Sequence, residues 1–582
     1  MRLNATPANY DRFLSVASVF WRNNLPATPG EDWIVVEAMH HQFRNVLRNL
    51  ALANAIRRVR PARVLVLTGT DESWYETIWE DFNVEKVRRL GEAFAVTEVV
   101  DVHALVDQVA AAPDGRPPTF DLCGRTLTVG SGVAADTGTD KTAVRWSSID
   151  ADVLDEIAYA SACRLDLVPR LDGDRHDNPR LREQRPRSAA FAAVYEMLFR
   201  ALRPIAFVTS HVDYDPWGLG TEAATRFEVP VVHVQSTGSL KAYTLFPEHR
   251  QGEATFRAEL TRQIGAYFDR HVWGNRDIIR PAAELVAWRT RGNLGRPSWW
   301  RFGPNALCEL TNLTERDQFR AYGMAKLGLD PALPVITVFN HAVSDALGTN
   351  REIFADLAGW FQKTVAFAAT HSQANWLLLD HPNQDKYDRT GMFGKLADSY
   401  GHAGHLTFMS SNDLSKNAMW SLTDLGITVR GSVSNELPAF GTPVIQAGWS
   451  EWSACGMSTV VPDADAYWKT LTASIEALTR KESLISADQV ERARLWSWFY
   501  RSATDVSSLL VPHWDVMPED THLRTLEINM RAVESDGDPL FTSVRRMWTR
   551  REPFLTRFDL TDSGSLTELL PAMREGGTTD AG

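Results

Sequence analysis

Short apolar runs alternate with longer amphipathic stretches along most of the chain, and this alternation restricts the fold more than any other feature of the sequence. The pattern begins with Trp33–Ala38 (WIVVEA), a strand-type run, followed by the amphipathic stretch Phe43–Val59. A second apolar run, Arg63–Thr68 (RVLVLT), is closed by Gly69-Thr70-Asp71. Strand, helix and strand with short connections predicts a parallel sheet, because a crossover helix is what returns the chain to start a parallel neighbour. Val96–Val102, Ile205–Thr209 and Val229–Val234 are further strand candidates. Between them, Asp166–Ser188 is polar, rich in Pro and Arg and aperiodic, and is predicted to be a long surface loop.

A second series starts after the turn-rich Arg289–Asn305, the predicted linker. It runs helix Glu315–Leu327, strand Val335–Phe339, helix Asn350–Thr370, strand Asn375–Leu379 and strand His405–Met409. Helix Leu414–Leu422, strand Gly426–Val429, a helix near Asn435–Phe440 and strand Pro443–Ala447 follow. The whole therefore reads as α/β, with two facing Rossmann-like doubly wound domains and a C-terminal helical extension. The expected boundaries are 1–300, 301–510 and 511–582, with a site in the crevice at the carboxyl ends of the strands. Ser486–Leu510 reads as one long helix. Val544–Arg551 (VRRMWTRR) reads as a basic helix face, solvated or resting on a membrane surface, before the polar tail Glu575–Gly582.

Composition narrows the function. The 582 residues, 44% hydrophobic and 23% charged, suffice for two sizeable cores. A net charge of −12 argues against a general nucleic-acid binder. Four separated cysteines without a CxxC pair predict a reduced, cytoplasmic protein with neither a zinc nor a disulfide scaffold. The opening residues lack a signal-peptide apolar stretch, and no run approaches the ~18 apolar residues of a membrane span. Twenty Trp are many for this length; they either stack on sugar rings or fill cores.

The chemistry-bearing residues fall where predicted strands end. LLLDHPNQDK turns at His381-Pro382-Asn383, where an imidazole can donate to a phosphate and Lys386 adds positive charge. Ser410 and Ser411 follow the next strand. After the one beyond it, Gly431-Ser432-Val433-Ser434 leads into Asn435 and Glu436, a Ser-rich helix start suited to an anion, with a carboxylate able to accept from ribose. Each motif alone equals ordinary turn or cap chemistry; together they put three polar loops on one sheet edge.

This order resembles the donor-binding half of two-domain GT-B glycosyltransferases that use CMP-activated sugars, namely bacterial capsule and lipopolysaccharide sialyltransferases and Kdo transferases. It is most similar to the capsular polysaccharide group, with its strand-HPN and "gitv.gSvs.E...fG.Pvi..G" stretch, over roughly residues 330 to 460. The resemblance implies donor contacts from His381, Pro382, Asn383, Ser432, Ser434 and Glu436. It adds Asn340, His341 and Asp345 from VITVFNHAVSDA. It also implies transfer of a Kdo- or sialic-acid-like sugar to a surface glycan or glycolipid, with the CMP-sugar as co-substrate and no other cofactor. CDP-polyol phosphotransferases share the HP and Ser-rich pairing, so a CDP-alcohol stays open, as does a nucleotide-sugar epimerase or a binding module on the same fold. No DDG-type acidic motif is present.

The first half is expected to supply acceptor and base. TSHVDYDPWGLG offers His211, Asp213 and Asp215 as catalytic candidates, with Tyr214 and Trp217 as stacking surfaces. Glu37 is the rival base, and Asp71 is a further acceptor candidate. No metal is expected: His40 and His41 are adjacent, and the formal DxD matches at Asp213–Asp215 and Asp463–Asp465 arise easily by chance. No GxGxxG follows the early strands, which disfavours a dinucleotide oxidoreductase. Peripheral contact at the inner face of the membrane would run through the basic C-terminal stretch.

Overall fold

The computed structural model describes residues 5–70, 74, 82–112, 116–130, 147–173, 175, 177–235, 239–291, 315–345, 351–512, 518–534 and 536–575. They divide into two compact units. Unit 1 comprises 1–165, 173–259 and 503–558; unit 2 comprises 166–172, 260–502 and 559–582.

Unit 1 is built on strands β1 (Asp32–Glu37), β2 (Ala62–Thr68) and β3 (Glu98–Asp101), a small hairpin of β4 (Thr119–Leu122) and β5 (Arg125–Thr128), and β6 (Ala206–Thr209), β7 (Val231–Val234) and β8 (Ala242–Leu245). The main sheet has the order β3-β2-β1-β6-β7-β8, parallel except for β8. β6 is buried along its whole length and β1 from Trp33 onward, as expected where helices cover both faces of a parallel sheet. The helix Phe43–Val59 occupies the span expected for it.

Unit 2 repeats the plan with β9 (Val335–Phe339), β10 (Asn375–Leu379), β11 (Leu406–Met409), β12 (Leu425–Thr428), β13 (Val444–Gln446) and β14 (Thr459–Val460). Its order is β11-β10-β9-β12-β13-β14, parallel throughout. Each unit is thus a doubly wound, Rossmann-like α/β layer structure. Each has a topological switch point, between β1 and β6 in unit 1 and between β9 and β12 in unit 2, where open parallel sheets bind ligands.

Three expected segments fold differently. A helix, Pro179–Leu202, begins inside the stretch predicted to be a loop; Asn178 caps it by accepting the Leu181 N–H at 3.1 Å. The arginines that gave this stretch its loop-like composition are paired along the helix, Arg185 with Asp155 at 2.5 Å and Arg187 with Asp107 at 3.1 Å. The helix expected from residue 350 starts at Leu357, where Asp356 accepts the Gly359 N–H at 2.6 Å. The helix expected over 486–510 stops at Trp498, continues as one wide turn over Phe499–Ala503, and gives way to a bridge between Val506 and Leu240.

The C-terminal residues are helical but do not form the separate 511–582 extension. The helix Glu519–Ala532 packs on Pro7–Asn24, where Glu519 and Asp520 accept the Ala5 and Thr6 N–H groups at 2.8 and 3.0 Å. The helix Pro539–Arg550 packs on Phe43–Val59 and buries Leu540, Phe541, Val544, Met547 and Trp548 in the unit 1 core. The Trp of the basic stretch is therefore a core residue. Beyond it, Phe554 bridges Tyr243 and covers the edge of β8, which would otherwise leave unpaired backbone groups. The helix Ser563–Glu575 belongs to unit 2, and the rest of the tail lies outside the described residues. So does most of the predicted linker.

Tryptophan also resolves toward packing: Trp21, Trp33, Trp217, Trp360, Trp376, Trp496 and Trp498 are each under 2% exposed or at that limit. Among the described residues no helix is long and apolar enough to cross a membrane. Cys123, Cys163 and Cys455 are buried and form no disulfide.

Candidate functional site

The carboxyl edge of the unit 2 sheet gathers most of the residues expected to bind a donor. β9 ends at Asn340-His341, β10 at Asp380-His381, β11 at Ser410-Ser411 and β12 at Val429-Arg430 ahead of Ser432. Four parallel strands that stop together place these loops side by side. Ser344 donates to the Tyr387 carbonyl at 2.6 Å, and Ser411 N–H to Asp380 at 3.0 Å, so neighbouring loops are tied to each other.

Two imidazoles stack here, His341 and His381, with centroids 6.1 Å apart and an interplanar angle of 27°. His341 Nδ1 faces the Ala342 carbonyl at 3.2 Å, which assigns its proton to Nδ1; Nε2 is then the acceptor facing Arg430 Nε at 3.5 Å. His381 has the opposite tautomer. Its Nδ1 accepts the Asn383 N–H at 3.2 Å, leaving an Nε2–H that no described protein group accepts. Burial holds both rings below the ordinary imidazole value, His341 well below it, with Arg430 and His381 adding to the effect on His341. Asp345 opposes the shift of His381. Both are neutral donors or acceptors at neutral pH.

Further donors stand unused. Asn340 is 7% exposed and its Nδ2 has no partner; the buried Ser411 hydroxyl has none either. Ser432 makes no cap bond from its side chain. Asn383, Pro382 and Lys386 lie exposed, and Ser410 accepts the Asn412 N–H at 3.2 Å. The helix that starts here, Val433–Ala439, differs from the expected anion cradle in how it uses its donors. The Ser434, Asn435 and Glu436 N–H groups bond to Gly431 and Ser432 carbonyls. Ser434 is fully buried, donating to Gly431 at 2.8 Å and accepting from the Trp452 indole at 2.9 Å. Asn435 is 9% exposed. Glu436 is 3% exposed, both carboxylate oxygens lack hydrogen bonds, and Arg501 stands 3.9 Å away.

Sequence reasoning did not single out Arg430. It is buried and joins three partners: His341, the Asp345 carbonyl at 2.7 Å and Glu352 at 2.8 Å. Its only signal was its position immediately past the β12 apolar run.

At the carboxyl edge of unit 1, the structure brings Glu37, His211, Asp213, Tyr214 and Trp217 together, but most face inward. Glu37 is 0% exposed: one oxygen accepts the Met39 and His40 N–H groups at 2.7 and 3.3 Å, the other the Ser210 N–H and hydroxyl at 3.1 and 2.8 Å. It fastens the loop after β1 to the loop after β6. Asp213 is paired with Arg257 at 3.3 and 2.5 Å, both residues buried. Asp215 accepts from Ser161 at 2.8 Å, Ser188 at 3.0 Å and Gln184. Tyr214 and Trp217 are buried, so neither offers an open ring face. Tyr214 at φ +65° and His41 at φ +45° hold left-handed backbone where the two loops beside the switch point lead into their helices. Asp71 lies outside the described residues. Of these candidates His211 is the partly exposed one.

Burial pushes the Asp215 carboxyl up to about 6 against its three hydrogen bonds. A carboxyl raised on folding costs stability once it must ionise, so its contribution falls as pH rises from about 4 to about 6. Urea denaturation of Asp215→Asn beside the unsubstituted chain should show the variant gaining relative stability across that window; a constant difference would refute the buried acid. The second formal DxD is a helix cap, Asp463 accepting the Ala466 N–H at 2.8 Å. Among the described residues no group of three or more His, Cys, Asp or Glu stands where it could hold a metal ion.

No protein-family profile matches the chain, and no curated protein does. Solved structures align with it at low similarity. A UDP-GlcNAc 2-epimerase from Neisseria meningitidis bound to UDP-GlcNAc is 10% identical over 79% of this chain and 97% of its own, with a TM-score of 0.24. A glycosyltransferase from Rickettsia africae is 9% identical over 86% and 99%, with 0.28. The beta Kdo 2,4 transferase KpsC of Thermosulfurimonas dismutans is 11% identical over 55% and 87%, with 0.30. Alignments this loose carry no argument about activity.

Proposed function

We propose that the chain is a glycosyltransferase whose unit 2 binds a nucleotide-activated sugar by its phosphate, and that the nucleotide is CMP. The observation that carries this reading is the set of unengaged hydrogen-bond donors along the carboxyl edge of the unit 2 sheet. His381 Nε2–H, Asn340 Nδ2 and the Ser411 hydroxyl follow three neighbouring strands of that edge, and the buried Arg430 follows the fourth. Charge develops on the leaving phosphate as the glycosidic bond breaks, and preorganised donors at that point stabilise the transition state more than the ground state. Glu436, with both oxygens lacking hydrogen bonds, suits the hydroxyls of a ribose. The choice of CMP, and of a Kdo- or sialic-acid-like sugar, rests on the HPN and GSVSNE resemblance. Unit 1 would hold the glycan or glycolipid acceptor.

A thermal-denaturation panel of CMP, CDP, UMP and UDP tests this. A nucleotide that binds only the folded chain adds roughly 2.7 kcal/mol at 100 times its Kd. CMP should stabilise and UDP should not. Stabilisation by UDP alone moves the protein to ordinary nucleotide-sugar chemistry, by CDP alone to a CDP-alcohol donor, and by none removes the donor-site reading.

A further inference from the structure

We infer that unit 1 carries an anion-binding point of its own, in which the Nε2–H of His211 donates to a carboxylate or phosphate oxygen. This goes beyond the donor site of unit 2 and rests on unit 1 alone.

His211 lies two residues past β6, beside the switch point. Two backbone N–H groups, those of Val212 and Asp213, converge on its Nδ1 at 3.1 and 3.2 Å. A nitrogen that receives two donors bears no proton, so the neutral ring carries its proton on Nε2. The same two bonds dispose of the alternatives. A general base needs the Nε2 lone pair, and so does a metal ligand. Either requires moving the proton to Nδ1 and breaking both backbone bonds.

The Nε2–H is also available. No described protein group accepts it, and the side chain is 30% exposed. The ring is held in place by Trp217 at 5.0 Å and Tyr214 at 5.5 Å, and His40 stands edge-on at 6.2 Å, itself resting on Trp217 at 5.4 Å. The nearby carboxylates are already engaged. Glu37 has four donors, and Asp213, whose Oδ2 lies 4.0 Å away on the anchored side of the ring, is paired with Arg257. A fixed N–H donor with an exposed tip and neutralised neighbours favours an anionic oxygen over a neutral hydroxyl, because hydrogen bonds to charged groups are the stronger class.

The test uses the full chain carrying His381→Ala, which weakens phosphate uptake by unit 2, and the His211 variants in that background separate what unit 1 contributes. Inorganic phosphate and glucuronate are titrated calorimetrically; the first stands for a phosphate ligand and the second for the carboxylate of an acidic sugar. One of the two should bind. His211→Ala and His211→Phe, the latter keeping a ring against Trp217, should each weaken it about ten-fold or more. His211→Gln, which retains an N–H donor but cannot act as a base, should stay within about three-fold. Binding of neither anion, unchanged affinity in a folded Phe variant, or a Gln variant as weak as the Phe variant overturns the inference. CMP binding in the chain with intact His381 should be unaffected by His211→Phe, so failure here is distinct from failure of the donor site.

Discussion

Asp213→Asn should lower the unfolding free energy by about 3–5 kcal/mol, the cost of leaving a buried partner charge uncompensated. Asp213 and Arg257 are 5% and 8% exposed, and their contacts at 3.3 and 2.5 Å form a two-point pair. Bringing two charges out of water costs several kcal/mol each, which their mutual attraction offsets only while both are present. His233, buried close by, cannot supply the missing negative charge: burial first and Arg257 second hold it well below the ordinary imidazole value, so its ring is neutral. The double variant Asp213→Asn/Arg257→Met should therefore recover most of the loss, since it removes both charges together. Urea denaturation with an unchanged m-value measures each change. A loss under about 1 kcal/mol for the single variant would mean that the pair is solvated and that Asp213 is available for proton transfer. The expected loss assigns it to structure.

That result bears on what was legible in the sequence. Most strands of the two main sheets were, because a strand buried on both faces writes itself as a continuous apolar run, whereas the hairpin β4–β5 and the edge strands β8 and β14 were not expected. Val335–Phe339 and Asn375–Leu379 fall where the runs do. The unit 2 edge was legible for the same reason, since strand ends locate the loops that follow them. Pairing partners were not. Arg257 lies 44 residues from Asp213, and Arg430 lies 89 from His341, separations no local pattern encodes. TSHVDYDPWGLG reads as a source of catalytic side chains and stacking rings, yet Asp215 has its hydrogen-bond donors on the helices Ala151–Asp166 and Pro179–Leu202, and Trp217 is under 2% exposed or at that limit. Composition misled where arginines were paired along a helix face, as in 179–188. The C-terminal helices read correctly as helices, but their docking on Pro7–Asn24 and Phe43–Val59 depends on contacts across almost the whole chain.

His381→Ala should weaken CMP binding by roughly 1.5–3 kcal/mol, about 10- to 150-fold in Kd, while leaving the fold nearly as stable. The imidazole contributes one bond to its own loop, accepting the Asn383 N–H in an exposed turn where water can replace it. Its packing is with rings at the rim, His341 at 6.1 Å and Tyr387 at 6.2 Å. The effect on binding is larger because the donor is fixed: Asn383 sets the tautomer, and His341, itself held by the Ala342 carbonyl and Arg430, sets the ring plane. The charge state gives the sharper check. Burial lowers the His381 pKa, so the ring is neutral above that depressed value and donates as an uncharged group. The ratio of wild-type to His381→Ala affinity should therefore stay level between about pH 6.5 and 8, where an imidazole of ordinary pKa near 6.5 would be losing a charge. Titrating both proteins at each pH cancels the ionisation of CMP itself, which is common to the two. A ratio that falls steadily as pH rises would show a protonated histidine and a site exposed to water. A ratio of one at every pH, in a folded variant, would return His381-Pro382-Asn383 to turn chemistry and leave the phosphate to Asn340, Ser411 and Arg430.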